Sequence, residues 1–137
     1  FGLWAAEIPG EAAFIGFIGL QPVDPQLALA PAIEVGWRLA RAFWGRGLAT
    51  EGAAASMQFA FDALELPSLL AYTAAANLRS RRVMERLQMR RDPREDFAHP
   101  RIAAGHRLSQ HVVYRADAED WRISSKHVRA LHEHDRP

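Results

Sequence analysis

Alternating apolar and polar residues predict a β-hairpin at the start of the chain. Two apolar stretches, Phe1–Ile8 and Ala12–Leu20, flank Pro9-Gly10-Glu11, which has the composition of a tight turn. We therefore expect the two strands to pair antiparallel. Three prolines in the next segment, Gln21–Pro31, predict a surface loop because proline lacks a backbone donor for regular pairing.

A third strand is predicted with one apolar and one polar face. Across Ile33–Leu39 every second residue is apolar, which is the period of a strand with one buried side. The apolar face consists of Ile33, Val35, Trp37 and Leu39. Glu34 and Arg38 fall on the other face, so a carboxylate faces whatever lies opposite the core.

Helical spacing predicts two helices separated by a buried strand. Over about Leu48–Leu64 apolar residues recur every three or four positions, and Pro67 marks the end soon after. Ser68–Ala75 is a short apolar run of strand length. Asn77 is a good N-cap for a short arginine-rich helix that extends to about Gln88.

The rest of the chain carries weaker signals. Arg90–Gln110 is polar and irregular, His111–Tyr114 is predicted as the last strand, and Asp117–Arg122 as a single helical turn. We expect one domain over residues 1–122 and a polar tail over residues 123–137. The order of the elements predicts an α/β (α+β) fold.

Composition narrows the function classes. A chain of 137 residues can bury one core, and it has no apolar run long enough to cross a bilayer. It contains no cysteine, so thiol nucleophiles and cysteine-ligated zinc are excluded. The formal net charge of +1 is too balanced to indicate nucleic-acid binding. No stretch resembles a signal peptide, and a cytoplasmic location is expected.

A glycine-rich segment, Trp44-Gly45-Arg46-Gly47-Leu48-Ala49-Thr50, lies between the third strand and the first helix. Two glycines allow backbone amides to approach a ligand closely, and the start of the helix favours phosphate oxygens. Glycine content alone is explained better by a tight strand-to-helix turn. No Gly-Lys-Ser/Thr follows and the three-glycine dinucleotide fingerprint is missing, so ATP and NAD are disfavoured.

Two separated segments together resemble the acetyl-CoA signature of the GNAT N-acetyltransferases. They are Trp44–Glu51 and Asn77-Leu78-Arg79-Ser80-Arg81-Arg82-Val83-Met84-Glu85, in the family's order and with a predicted strand between them. More narrowly, the chain is similar to the RimJ/RimL branch, whose best-known members acetylate N-termini of ribosomal proteins. The likeness runs from about Phe14 to Trp121. It implies a mixed, mostly antiparallel sheet with a V-shaped opening flanked by helices. In the family a strand and two helices precede the position of Phe1, so we expect an N-terminally incomplete domain.

The resemblance also implies which residues hold coenzyme A. The family pattern Gln/Arg-x-x-Gly-x-Gly/Ala falls on Trp44–Ala49, where Gly47 and Ala49 match and Trp44 departs. Backbone amides of this loop would hold the pyrophosphate. A bulge near Trp37–Leu39 would part this strand from its neighbour and free backbone groups for the pantetheine arm. The expected acetyl-CoA contacts are Trp37, Arg38, Leu39, Trp44, Gly45, Arg46, Gly47, Leu48, Ala49, Thr50, Asn77 and Ser80.

Three residues are candidates for proton transfer. Acetyl-CoA is already activated as a thioester, so an enzyme needs to align the amine, remove a proton and stabilise the leaving thiolate. Glu34, close to where many relatives keep a catalytic glutamate, is the candidate base; the alternative is a surface carboxylate paired with Arg38. Many relatives carry an acid tyrosine where this chain has Met84. Ser80 and Tyr114 remain as candidate acids, or as structural residues of the helix and the last strand.

Histidines and arginines cluster in the second half of the chain. The resemblance implies that His99 and His111 border the acceptor cleft; loop hydrogen bonding is the alternative. No metal site is expected, because the histidine spacing fits no helical metal pair. The arginines between Arg79 and Arg91 form a solvated helix face or contact the 3′-phosphate of coenzyme A. An RNA contact is the weaker idea, since interleaved aromatics are absent there.

The predicted function is transfer of an acetyl group from acetyl-CoA to a primary amine by direct attack in a ternary complex. The acceptor is either a protein N-terminus or a small-molecule amine. Two alternatives stay open. One is a truncated or inactive acyl-CoA-binding domain, which Met84 favours, and the other is a ribosome-associated interaction domain that uses the arginine-rich helix. A homodimer is a further expectation.

Overall fold

Seven strands form a single mixed sheet in the computed structural model, which describes residues 2–123. The strands are β1 (Leu3–Ile8), β2 (Ala12–Pro22), β3 (Ile33–Leu39), β4 (Ser68–Ala74), β5 (Arg90–Arg91), β6 (Phe97–Ala98) and β7 (Gln110–Asp117). The helices are α1 (Leu48–Asp62) and α2 (Leu78–Arg86), together with 3-10 turns at Arg41–Phe43 and Pro93–Glu95 and a helical segment at residues 118–123. The expected polar tail, apart from residue 123, lies outside the described residues.

The predicted hairpin, third strand, helices and helical turn are confirmed, and two segments differ in detail. The polar segment Arg90–Gln110 is not irregular throughout, because β5 and β6 both pair with β7. The last strand, β7, extends over Gln110–Asp117 and is longer than the predicted His111–Tyr114. Its edge is the one on which β5 and β6 pair. The first strand of the hairpin pairs with β2 from Leu3 opposite Gly19 to Ile8 opposite Ala12.

The sheet opens at its middle. Its order is β1-β2-β3-β4-β7-β5, and all pairs are antiparallel except β3 with β4. These two parallel strands pair at one position, Glu34 with Leu70. Beyond that position their backbones are unpaired with each other. The predicted mostly antiparallel sheet with an opening is therefore confirmed.

The bulge expected near Trp37–Leu39 is wrong. The register between β2 and β3 is unbroken from Gly16 opposite Leu39 to Pro22 opposite Ile33. The opening needs no extra residue, because neighbouring strands are rotated by the twist of the sheet and a parallel pair held at one point diverges from it.

The main core lies between the sheet and the two helices. The apolar positions that predict α1 are the ones it buries: Ala53, Met57, Ala60 and Phe61 are fully inaccessible. They pack against Val35 of β3 and against Val83 and Met84 of α2. The residues that the two-residue period of β3 and the 3.6-residue period of α1 predict as buried thus belong to the same core.

A smaller core covers the opposite face of the sheet. The loop between β2 and β3 folds across it and buries Val23 and Leu27 against Leu70 and Val113. Glu34 pairs with Leu70 on this face and is only 8% exposed. The alternative of a surface carboxylate paired with Arg38 is therefore wrong, because a proline-rich loop supplies a second apolar layer over this residue.

Among the helices of residues 2–123, none has the length and apolar character that crossing a membrane requires.

Candidate active site

A cavity of about 670 Å³ lies where β3 and β4 separate. Its walls are the end of β3, the segment that leads into α1, and one side of α2 from Leu78 to Arg86. This volume is typical of a small-molecule or cofactor site. Every residue predicted to contact coenzyme A lines the cavity except Arg46.

Glycines shape the floor of the cavity at the start of α1. Gly47 is the N-cap residue of α1 and has a φ of 74°, and Gly45 has a φ of 79°. Non-glycine residues rarely adopt this left-handed conformation. No side chain caps the helix, so the amides of its first turn keep no side-chain acceptor. The glycine-rich segment is thus both a tight turn and a row of available backbone donors.

Arg46 points away from the cavity and ties the loop to the hairpin. Its guanidinium donates two hydrogen bonds to the Glu11 carboxylate, at 2.8 and 3.0 Å. This guanidinium lowers the pKa of the Glu11 carboxyl. Arg46 therefore braces the glycine-rich loop from outside, a contact that its place in the motif did not predict.

Trp44 joins two walls of the cavity. Its indole N–H donates to the Leu39 carbonyl at 2.9 Å, which fixes the ring beside the end of β3. The Arg79 guanidinium of α2 lies 4.3 Å from the ring centroid, within cation–π distance. The aromatic residue that departs from the family pattern thus links the loop before α1 to α2.

The cavity lining is cationic. Arg38, Arg79, Arg82 and Arg86 all contribute to it. Thr50 also lines the cavity, and its Oγ1 is the one enclosed side-chain polar atom of residues 2–123 without a hydrogen-bond partner. Buried polar atoms are nearly always satisfied, so this unpaired oxygen is an exception among the described residues.

The second motif positions Ser80 in the cavity. Asn77 is the N-cap of α2, and its side chain accepts the backbone N–H of Ser80 at 3.2 Å. Both residues line the cavity. Met84, which replaces the family's tyrosine, is 2% exposed and belongs to the main core.

Tyr114 lies outside the cavity. It is 3% exposed in the main core, and its hydroxyl donates to Glu85 at 3.2 Å and accepts from Arg81 at 3.3 Å. Arg81 also holds the Ala75 carbonyl, at 3.0 Å. The structure therefore places Tyr114 in the core beneath α2, as expected of a structural residue, and its hydroxyl does not line the cavity.

Glu34 belongs to a buried polar group on the opposite face of the sheet. Its carboxylate accepts hydrogen bonds from Gln21 and from the hydroxyl of Tyr72. Burial raises the pKa of the Glu34 carboxyl, although both hydrogen bonds oppose the shift. Burial and the nearby carboxylate likewise raise the pKa of Tyr72. The sequence analysis overlooked Tyr72, although a tyrosine in an apolar strand usually needs a partner for its hydroxyl.

The predicted histidines meet beside that group. The His99 and His111 ring centroids are 5.0 Å apart, and Phe97 lies 5.4 Å and Tyr72 6.4 Å from the His111 ring. His111 is 9% exposed, and burial lowers its pKa. No group of three His, Asp or Glu within residues 2–123 has the arrangement of a metal site. Glu34 and the two histidines are thus brought onto one face of the sheet, and none of the three lines the cavity.

Comparison with known proteins gives the chain a set of relatives. Residues 1–90 match a family model described as an acetyltransferase (GNAT) domain. The chain is 36% identical over 88 residues to an Aspergillus fumigatus protein named FsC-acetyl coenzyme A-N(2)-transacetylase, a match covering 61% of this chain and 37% of that protein.

Solved structures with a similar fold include other acetyltransferases. The fold is similar to that of an acetyltransferase (GNAT family) from Bacillus anthracis, with a TM-score of 0.69, 25% identity, and 85% of this chain and 66% of that chain covered. An acetyltransferase from Agrobacterium tumefaciens gives a TM-score of 0.62 at 30% identity, with 84% and 60% covered. The chain thus spans 37% of the length of the fungal relative and 66% and 60% of the two solved chains.

Proposed function

Because the chain belongs to the GNAT acetyltransferase family, we propose that it transfers an acetyl group from acetyl-CoA to a primary amine of a peptide or small molecule. The observation that carries this proposal is the cavity between the parted strands, which combines a glycine-rich helix start with four lining arginines. Diphosphate and phosphate groups bind at such helix starts and beside guanidinium groups.

The lining of the cavity supports a proposed placement of acetyl-CoA. We propose that the amides after Gly45 hold the diphosphate and that Arg79, Arg82 and Arg86, which line the cavity, supply charge for the 3′-phosphate. The backbone of β3 beyond Glu34 has no partner on β4 and is available to the pantetheine arm. Acetyl-CoA supplies an acetyl group that is already activated as a thioester. Because Arg79, Arg82 and Arg86 line the cavity, we favour a cofactor site over a ribosome contact for the arginine-rich helix.

The amine is proposed to approach from the face that carries Glu34. Removal of a proton from an amine is favoured by a base whose pKa lies near the working pH, and burial shifts Glu34 in that direction. Glu34 acts on the amine directly or through one water molecule. Ser80 is the proposed donor to the departing sulfur, since it lies in the cavity while Tyr114 does not.

A second candidate function is acyl-CoA binding without turnover. Among the described residues that line the cavity, Thr50 and Ser80 are the only hydroxyl side chains, and neither is the tyrosine that relatives use as an acid. Two measurements separate the candidates. Acetyl-CoA at saturating concentration is expected to raise the melting temperature under both. Thiol release on a panel of amines and peptides is expected only for the enzyme, and absence of both responses contradicts the whole proposal.

Glu34→Gln is expected to lower turnover about 10²-fold, the contribution of a general base, with little change in acetyl-CoA affinity. Glutamine keeps the size and an acceptor oxygen for the group around Gln21 and Tyr72 but cannot take a proton. The measurements are steady-state thiol release and thermal shift with acetyl-CoA. Full turnover in this variant would show that Glu34 is not the base. Glu95→Gln, which alters the half-buried carboxylate on Arg115, serves as the control with unchanged turnover.

Glu34→Gln is also expected to become more stable relative to the natural chain as the pH rises. A carboxyl whose pKa is higher in the folded than in the unfolded protein destabilises the fold once it ionises, and that cost grows with pH from the unfolded value up to the folded value. Glu34→Gln should therefore raise the melting temperature at pH 8 relative to the natural chain, and by less at pH 5. A difference of the opposite sign would contradict the buried, raised carboxyl.

A further inference from the structure

We propose that Nε2 of His111 is a second proton acceptor for the acceptor amine, working beside Glu34. This inference rests on the proposed function. Its starting point is that His111, Tyr72 and Glu34 share the face of the sheet opposite α1 and α2. Tyr72 connects the two bases, since its hydroxyl bonds to Glu34 and its ring lies 6.4 Å from the His111 ring.

The register places His111 level with the cavity. It pairs with Ala74, the last residue of β4. Two and three residues further on, Ala76 and Asn77 line the cavity. His111 therefore stands at the open end of the sheet, on the face from which the amine is proposed to approach.

The hydrogen bonds of His111 select its tautomer. Nδ1 lies 3.2 Å from the Ser109 carbonyl oxygen, which can only accept, so Nδ1 carries the proton in the neutral ring. Nε2 then has a free lone pair. Within residues 2–123 it has no hydrogen-bond partner and is not among the fully enclosed polar atoms, so part of its surface is accessible.

Neighbouring rings have the reverse arrangement. Nδ1 of His99 accepts the backbone N–H of Arg101 at 3.2 Å, and Nδ1 of His106 accepts that of Leu108 at 3.1 Å. Their neutral rings thus carry the proton on Nε2. Of the three histidines in the described residues, His111 alone presents a basic Nε2.

The surroundings of His111 keep its ring neutral near pH 7. The titratable groups that face it are Tyr72 on β4 and His99 on the adjoining loop, and beyond Tyr72 lies Glu34. Burial and His99 lower the pKa of His111, while the bond to Ser109 opposes the shift. Arg101, whose backbone N–H bonds to His99, has its guanidinium paired with Asp24 at 2.7 Å.

Two acceptors match the proton balance of the reaction. A primary amine arrives mostly as an ammonium ion and loses one proton to become a nucleophile. The nitrogen then bonds to the thioester carbonyl carbon, the C–S bond breaks, and its electron pair goes to sulfur. The second proton leaves the nitrogen as the amide forms. One of the two protons ends on the thiolate and the other in solvent.

The tautomer is tested first, by ¹⁵N NMR of the full chain between pH 5 and 8. We expect His111 to be the Nδ1–H tautomer with a pKa below 6.5, and His99 and His106 to be Nε2–H tautomers. A His111 ring with its proton on Nε2 would overturn the inference without touching the proposed function, because that nitrogen would have no lone pair to offer. This measurement needs no variant.

The activity test uses His111→Asn, since asparagine keeps an N–H near the place of Nδ1 for the Ser109 carbonyl but has no basic nitrogen. The test uses an amine that the natural chain acetylates. The kcat/KM of the natural chain divided by that of the variant should be close to one at pH 5. It should rise to a plateau of about 10²-fold above pH 6.5. Added imidazole should restore part of the rate, and acetyl-CoA affinity should be unchanged.

His106→Asn is the matched control, because it makes the same change on an exposed histidine of the same loop region. Its ratio to the natural chain should stay near one at every pH. A His111→Asn ratio that does not vary with pH, without imidazole rescue, would assign the residue a structural role and overturn this inference alone. A natural chain that neither binds acetyl-CoA nor releases thiol would instead remove the proposed function and this inference with it.

Discussion

Gly47→Ala is expected to remove nearly all stabilisation by acetyl-CoA. Gly47 lines the cavity, and a Cβ at this position meets no protein atom within 4 Å. We therefore expect the added methyl group to occupy space that is proposed for the diphosphate. If two charge-assisted amide bonds of about 2 kcal/mol each are lost, the dissociation constant rises roughly 10³-fold. At a ligand concentration of about 100 times the natural dissociation constant, the natural chain gains about 2.7 kcal/mol and the variant almost nothing. Thermal shift or calorimetry measures the difference.

Backbone strain is separated from ligand exclusion by Gly10→Ala. Gly10 has a φ of 78°, close to the 74° of Gly47, and its added Cβ also meets nothing within 4 Å. Both substitutions should cost about 1–2 kcal/mol of stability, because both force alanine into the left-handed region. Gly10 lies in the turn of the hairpin, next to the Glu11 that holds Arg46, but it does not line the cavity. This variant should therefore keep the acetyl-CoA response as long as the Glu11–Arg46 ion pair is retained. Equal responses in the two variants would mean that the amides before α1 do not hold the diphosphate.

Regular periodicity made most of the fold predictable. The strand β3 and the helix α1 each satisfy one period over many residues, and the same residues are buried in the structure. The short strands β5 and β6 were not predictable, because two residues carry no period and both depend on the edge that β7 provides. The covering of Glu34 by the loop that carries Val23 and Leu27 was missed for a related reason, since proline-rich composition predicts a loop but not the surface on which it packs.

The cofactor half of the candidate site was more predictable than the acceptor half. Glycines before a helix and an N-cap asparagine are local signals. The resemblance implied that both segments contact coenzyme A, and in the structure both line one cavity. The group of Glu34, Tyr72 and His111 joins three strands that are distant along the chain. Its tautomers depend on single carbonyl and amide contacts at residues 99–111, and no pattern of residue types encodes those contacts.

Gly16→Ala is expected to be the most destabilising of the substitutions considered. Gly16 pairs with Leu39 and has a φ of 148°, and an added Cβ would lie 2.0 Å from the Arg38 carbonyl oxygen and 2.8 Å from the Leu39 Cα. These are backbone atoms of a paired strand, so relief requires β2 and β3 to separate at this end. The overlap and the unfavourable φ together should cost about 4 kcal/mol or more, measured by denaturant or thermal unfolding.

The position of Gly16 ties this loss of stability to the site, because Arg38 and Leu39 both line the cavity. Any protein that still folds should bind acetyl-CoA more weakly, since the displaced backbone is the wall proposed for the pantetheine arm. Gly36→Ala is the matched test: Gly36 lies in the same ladder opposite Gly19, but its added Cβ meets nothing within 4 Å. That variant should stay within about 1 kcal/mol of the natural chain. If Gly16→Ala were equally mild, the close approach of β2 to the end of β3, and with it the rigid wall of the cavity, would be wrong.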